Sequence, residues 1–111
     1  MVKTRRNGDV TIVDLNGQIT LGENCTLLRN TVQDLAARGE LKILLNLADV
    51  PFIDSGGLGE LIASHARLAR QGGRLKLLHL NRRVNELLQL TKANGILEIY
   101  TNEAIAVLSM E

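Results

Sequence analysis

Leu44-Leu45-Asn46-Leu47-Ala48-Asp49-Val50-Pro51-Phe52-Ile53-Asp54-Ser55-Gly56-Gly57-Leu58-Gly59 is the stretch that decides the fold. Its apolar run, ending near Leu47, predicts a buried strand. A short loop then leads through Pro51 to Asp54-Ser55, and a helical pattern begins at once. Strand, short loop and helix in succession are the repeating unit of a parallel sheet. On this spacing Ser55 stands at or beside a helix N-terminus. Its hydroxyl is expected to cap free backbone N–H groups there, and the helix dipole favours negative charge placed on it. Phosphate is such a charge, so the position suits a phosphorylatable serine.

Upstream, Val2 to Arg6 and Val10 to Leu15 predict two strands joined by a tight turn through Asn7-Gly8-Asp9. Leu21 to Asn24 opens a helix running to about Arg38, with Leu28, Val32, Leu35 and Ala36 on one face and Gly39 as its stop. Leu41 to Leu47 is too continuously apolar for a strand with one wet face, so it is expected to be central or covered on both sides. Downstream, Leu58, Leu61, Ile62, Ala66 and Ala69 form a helical stripe, with Glu60, Ser64, Arg67 and Arg70 outside it. Gln71-Gly72-Gly73 ends that helix, and Leu75 to Leu80 is the next strand. Asn81 caps a third helix carrying Val84, Leu87, Leu88 and Thr91, stopped by Asn94-Gly95. Ile96 to Tyr100 is a short strand, and Thr101 or Asn102 caps a last helix with Ile105 and Leu108 inward. The order ββαβαβαβα predicts an α/β fold, a mainly parallel mixed sheet packed with helices, as a single domain over residues 1–111.

Composition narrows the function. Of 111 residues 45% are hydrophobic, but Phe52 and Tyr100 are the only aromatics, so the core is aliphatic. Thirteen basic against twelve acidic residues, a formal charge of +1, point to neither nucleic acid nor an anionic membrane as partner. Arg5-Arg6 and Arg82-Arg83 read as solvated surface. Cys25 is the single cysteine, which excludes an intramolecular disulfide and cysteine-rich zinc sites, and it is expected to be a small half-buried residue. No apolar run reaches the ~18 residues of a membrane span and no signal-peptide segment opens the chain, so a cytoplasmic location is expected.

Phe52-Ile53-Asp54-Ser55-Gly56-Gly57-Leu58-Gly59 resembles the Asp-Ser-Ser/Thr-Gly-Leu-Gly signature of STAS domains, the family of bacterial anti-sigma factor antagonists. Ile12 to Gly17 is similar to the family's second strand ending in Leu-x-Gly, and Val84 to Ile99 to its third helix, turn and last strand. The element order also matches. The resemblance implies that Ser55 is the phosphorylated residue and that the domain has no catalytic activity or cofactor of its own. It further implies an anti-sigma factor with serine kinase activity and a serine phosphatase as partners. Its contact surface would comprise Asp54, Ser55, Gly56, Gly57 and Leu58 with Gln18, Thr20 and Leu21 of the Gln18 to Asn24 loop. Two departures stand out. Gln18 and Thr20 replace acidic residues common in the family, and Gly56 replaces the second hydroxyl of the signature. The alternative is a scaffold or regulatory STAS protein with a partner unrelated to sigma factors. Nucleotide binding, proposed for the wider family, belongs to that alternative.

Asp-Ser-Gly is also found around the catalytic aspartates of aspartic proteases, but those are all-β and Leu58 to Gln71 is helical in pattern. The nucleophile region of chymotrypsin-like proteases is similar too, yet that chemistry needs a histidine base beside the serine. His65 lies about three turns beyond Ser55, at least ~14 Å away, and is expected at the core edge with its ring satisfied. His79 is expected within a strand. Gly56-Gly57-Leu58-Gly59 lacks the Lys-Ser/Thr of a P-loop. The two leading glycines cost helix propensity, about 1 kcal/mol each relative to alanine. They are expected to admit a partner's backbone or ATP close to Ser55, so that Gly56→Ala keeps or raises stability while slowing phosphorylation.

Overall fold

The central apolar run forms a strand flanked on both sides. The computed structural model describes residues 2–111. Strands β1 (Val2–Asn7), β2 (Val10–Asn16), β3 (Lys42–Asp49), β4 (Arg74–Leu78) and β5 (Ile99–Tyr100) form one sheet in sequence order. The β1–β2 pair is antiparallel and every later pair is parallel. Asn7 pairs with Val10, so the hairpin turn holds only Gly8 and Asp9.

Helices α1 (Glu23–Ala37), α2 (Ser55–Arg70) and α3 (Arg82–Leu90) pack one face, and α4 (Glu103–Leu108) the other. Alternation along β3 serves both. Ile43, Leu45 and Leu47 point into the larger cluster with Leu28, Leu35 and Leu61, whereas Leu44 joins Val10, Ile12, Leu78, Ala106 and Met110 under α4. These side chains are almost wholly removed from water. Each stabilises the fold by about 1.5–3 kcal/mol as a transfer term. Lys76 of β4 is buried beneath α4, where its Nζ donates to the Ser109 carbonyl and hydroxyl oxygens at 3.2 and 3.0 Å.

The element order agrees with the expected one, while several details differ. On α2 the buried positions are Gly57, Leu58, Glu60, Leu61, Ser64 and Leu68; Ala66 and Ala69 are exposed. Glu60 and Ser64 come inside because Arg29 and Arg67 pair with them, although the buried Arg67 Nε has no partner among the described residues. Arg29 Nε of α1 donates to Glu60 Oε1 at 2.9 Å, and Arg67 Nη2 and Ser64 Oγ donate to Oε2 at 2.6 and 2.9 Å. Burial alone would push the Glu60 carboxyl up, but Arg67, Ser64 and Arg29 outweigh it and hold it below the usual range.

Ile105 and Leu108 are exposed, and Ala106 with Met110 fills the space under α4. The last strand has only two residues, and α3 ends at Leu90, before a 3₁₀ turn at Ala93–Gly95. His79 lies past β4, exposed, with φ 59°. His65 is half-buried, and its Nδ1 is buried with no hydrogen-bond partner among the described residues, so the ring is not satisfied. Cys25 is buried rather than half-buried. No helix among the described residues is long and apolar enough to cross a membrane.

Candidate functional site

Asp54, not Ser55, caps α2. Asp54 is extended (φ −93°, ψ −176°), and its Oδ1 accepts from the Gly57 N–H at 2.8 Å. A carboxylate at this position satisfies an orphan donor of the first turn and complements the helix dipole. The expected hydroxyl cap is thereby displaced by one residue. Ser55 becomes the first helical residue, exposed, with its hydroxyl in no hydrogen bond among the described residues. Its oxygen is therefore presented outward at the positive end of a 16-residue helix.

The other oxygen of Asp54 reaches a different part of the chain. Oδ2 accepts from the Leu21 N–H at 3.1 Å, pinning the loop between β2 and α1 against the start of α2. That loop also pairs with the strand-to-helix connection as a short parallel ladder. Gly17 N donates to Asp49 O, Ile19 N to Phe52 O, and Asp54 N to Ile19 O, at 3.1, 3.0 and 3.3 Å. The Gly57 and Leu21 N–H groups hold the Asp54 carboxyl below its usual range. It stays ionised at neutral pH.

This close approach explains the glycines and overturns the expectation that Gly56→Ala keeps or raises stability. A β-carbon on Gly57 would lie 2.0 Å from the Ile19 carbonyl oxygen, and one on Gly56 would lie 2.8 Å from Leu21 Cβ. Both positions are filled by the protein's own loop, so Gly56→Ala is expected to strain the fold rather than leave it equal or better. Gly57 and Leu58 are buried and stand behind the surface, whereas Ser55, Gln18 and Leu21 are on it and Gly56 and Thr20 are partly so. Leu21 is 81% exposed. The structure thus brings Gln18, Thr20 and Leu21 to the same end of the fold as Asp54, Ser55 and Gly56.

Two further contributors are not legible from the signature alone. Ile19 supplies the carbonyl and the bridge to Ile53 that seat the loop. Asn81, the cap of α3, donates from Nδ2 to the Val50 and Pro51 carbonyls, both at 3.2 Å, and so holds the loop from its other side. An asparagine just ahead of a helix is a sequence signal for a cap, but not for this second grip. The site holds no nucleophile–base pair. Burial, with Asp54 and Glu60 near it, pushes the Cys25 thiol up, so it remains protonated. Among the described residues no group of three or more His, Cys, Asp and Glu side chains is arranged to hold a metal ion.

Comparison with known proteins matches both the sequence and the fold. The sequence profile of the STAS domain matches residues 1–106. The anti-sigma-B factor antagonist of Bacillus subtilis strain 168 is 32% identical over 99 residues, 88% of each chain. Among solved structures, a candidate anti-sigma factor antagonist from Thermotoga maritima superposes with TM-score 0.90 at 30% identity, covering 98% of this chain and 93% of its own. The phosphorylated form of SpoIIAA, a Bacillus cell fate determinant, superposes over the whole of both chains with TM-score 0.73. At 18% identity it speaks for the fold alone. With a profile match over nearly its whole length and curated relatives that are anti-sigma factor antagonists, the chain belongs to the STAS domain family.

Proposed function

We propose that this domain is an anti-sigma factor antagonist working as a phosphorylation-controlled partner switch. Unphosphorylated, it binds an anti-sigma factor, which releases its sigma factor. Phosphorylation of Ser55 by the same anti-sigma factor, acting as an ATP-dependent serine kinase, weakens the complex, and a serine phosphatase restores it. The domain contributes no catalytic group and acts as substrate and ligand. The observation that carries this reading is an exposed Ser55 at the first position of α2, beside an exposed Leu21 and directly after a loop held from both sides.

The electrostatics of the switch follow from that placement. Phosphoserine adds about −1.5 to −2 charges at neutral pH. Within this protein the N-terminal N–H groups of α2 favour the charge and solvent screens it from Asp54, so the fold is retained. Against a partner the same charge is desolvated in the middle of the contact surface, next to Leu21 and Gly56, and affinity falls. Gln18 and Thr20 favour one second reading, a regulatory STAS protein whose partner is unrelated to sigma factors, because the acidic pair common in the family is missing.

Intact-mass analysis after incubation with the anti-sigma factor and ATP tests the assignment. The native chain is expected to gain one phosphate and Ser55→Ala none. A phosphate on Ser55→Ala would place the modification elsewhere.

A further inference from the structure

A groove of about 220 Å³ lies on the far side of the same loop, between Phe52 and helix α3. Its wall on α3 carries Arg83, Glu86, Leu87 and Leu90. Leu90 is 83% exposed, the most exposed large hydrophobic residue of the described chain, and Phe52 is the only phenylalanine. Helix α3 cannot roll to bury Leu90, because Val84 and Leu88 are locked in the core and Asn81 ties its start to Val50 and Pro51. The α3 wall of the groove is therefore fixed in orientation.

Its charge is unbalanced. Arg82 Nε donates to Glu86 Oε1 at 3.0 Å, which uses the groove's single carboxylate. The Arg83 guanidinium lies 4.6 Å above the Phe52 ring and joins no ion pair among the described residues. An arginine over an aromatic ring face still has N–H donors to offer a carboxylate. Apolar walls with one uncompensated cation fit a helix or loop that presents an apolar side chain next to an acidic one.

We propose that this groove is a second docking point for the anti-sigma factor, receiving an apolar residue against Phe52, Leu87 and Leu90 and a carboxylate on Arg83. It rests on the partner assigned above. Because the groove is lined by Phe52, Ile53 and α3 and not by Ser55, the groove contact survives phosphorylation. It keeps a residual hold on the partner while the contact at Ser55 is switched.

The test is a calorimetric titration of the anti-sigma factor with the full chain, its Leu90→Lys and Arg83→Glu variants, and Ser55→Asp. Each groove variant is expected to bind about ten-fold more weakly. Its melting temperature should be unchanged, and as kinase substrate it should show a raised KM with kcat kept. Native affinity in both groove variants together with lost binding in Ser55→Asp would overturn the groove and leave the partner assignment standing. Absence of binding by the native chain would overturn both. A self-associated native chain that Leu90→Lys makes monomeric would overturn the proposal in favour of a second copy as occupant.

Discussion

Helices α2 and α3 begin in nearly the same way and do different work. Each has an extended cap residue whose side-chain oxygen accepts from the third helical N–H at 2.8 Å, Asp54 from Gly57 and Asn81 from Val84. Each cap has a second arm, and there the chemistry diverges. Asp54 uses another acceptor oxygen to take the Leu21 N–H, whereas Asn81 uses its amide nitrogen to donate to two carbonyls. An aspartate could not fill the second role, nor an asparagine amide the first. The first turn of α3 then carries Arg82 and Arg83, ordinary helix formers, while that of α2 carries Gly56 and Gly57 because a loop passes over it. A cap explains a helix start. The second arm and the glycines explain why a loop is seated on one of the two starts and not in the same way on the other.

The largest difference between the two helix starts is expected from Gly57→Ala. Its methyl group has to displace the Ile19 carbonyl, and overpacking of this kind costs about 3 kcal/mol. A melting temperature equal to the native one would show that the loop yields freely and that the glycine has no structural reason. Next come the exchanged caps. Asn81→Asp keeps the cap on Val84 but faces two carbonyls with a carboxylate, a loss of about 1 kcal/mol by denaturant titration. Asp54→Asn turns an amide donor toward the Leu21 N–H and should also melt lower, with faster amide exchange across residues 17–22. Unaltered exchange there would mean that the second arm of Asp54 holds nothing.

Acidity separates the two caps further. The folded-state carboxyl of Asp54 lies below its ordinary value of 3.8. Its contribution is therefore fully present above that value and is lost as pH falls through the depressed one. The gap in melting temperature between native chain and Asp54→Asn should hold from neutral pH down to about 4 and close below it. The loss in Asn81→Ala, a neutral cap, should not change over the same window. The smallest expected effect is a gain. A β-carbon on Gly59 meets nothing within 4 Å, so Gly59→Ala should stabilise by about 0.5–1 kcal/mol, marking it off from Gly57 two residues earlier.

The element order and the pairing of the sheet were legible because β3 is apolar on both faces and each helix is announced by a cap or a glycine stop. Ser55 at the start of α2 was legible for the same reason. What escaped the sequence depended on contacts between distant segments. The periodicity of α2 placed Glu60 and Ser64 outward, yet Arg29, 31 residues away in the chain, brings them inward. Ile105 and Leu108 read as core in a helix so short that Ala106 and Met110 suffice to seal it. The glycines were read as room for a partner, and the room is taken by Ile19 and Leu21. The spacing Glu60, Ser64, Arg67 at i, i+4, i+7 was a readable sign that these polar residues share one face.

In the proposed switch, charge on Ser55 lowers affinity for the anti-sigma factor without altering the fold. Calorimetric titration of that factor with unmodified and Ser55-phosphorylated protein, each also melted alone, addresses it most directly. Binding is expected to weaken by about ten-fold or more after phosphorylation, with a melting temperature no lower than before. Equal affinity of the two forms would contradict it.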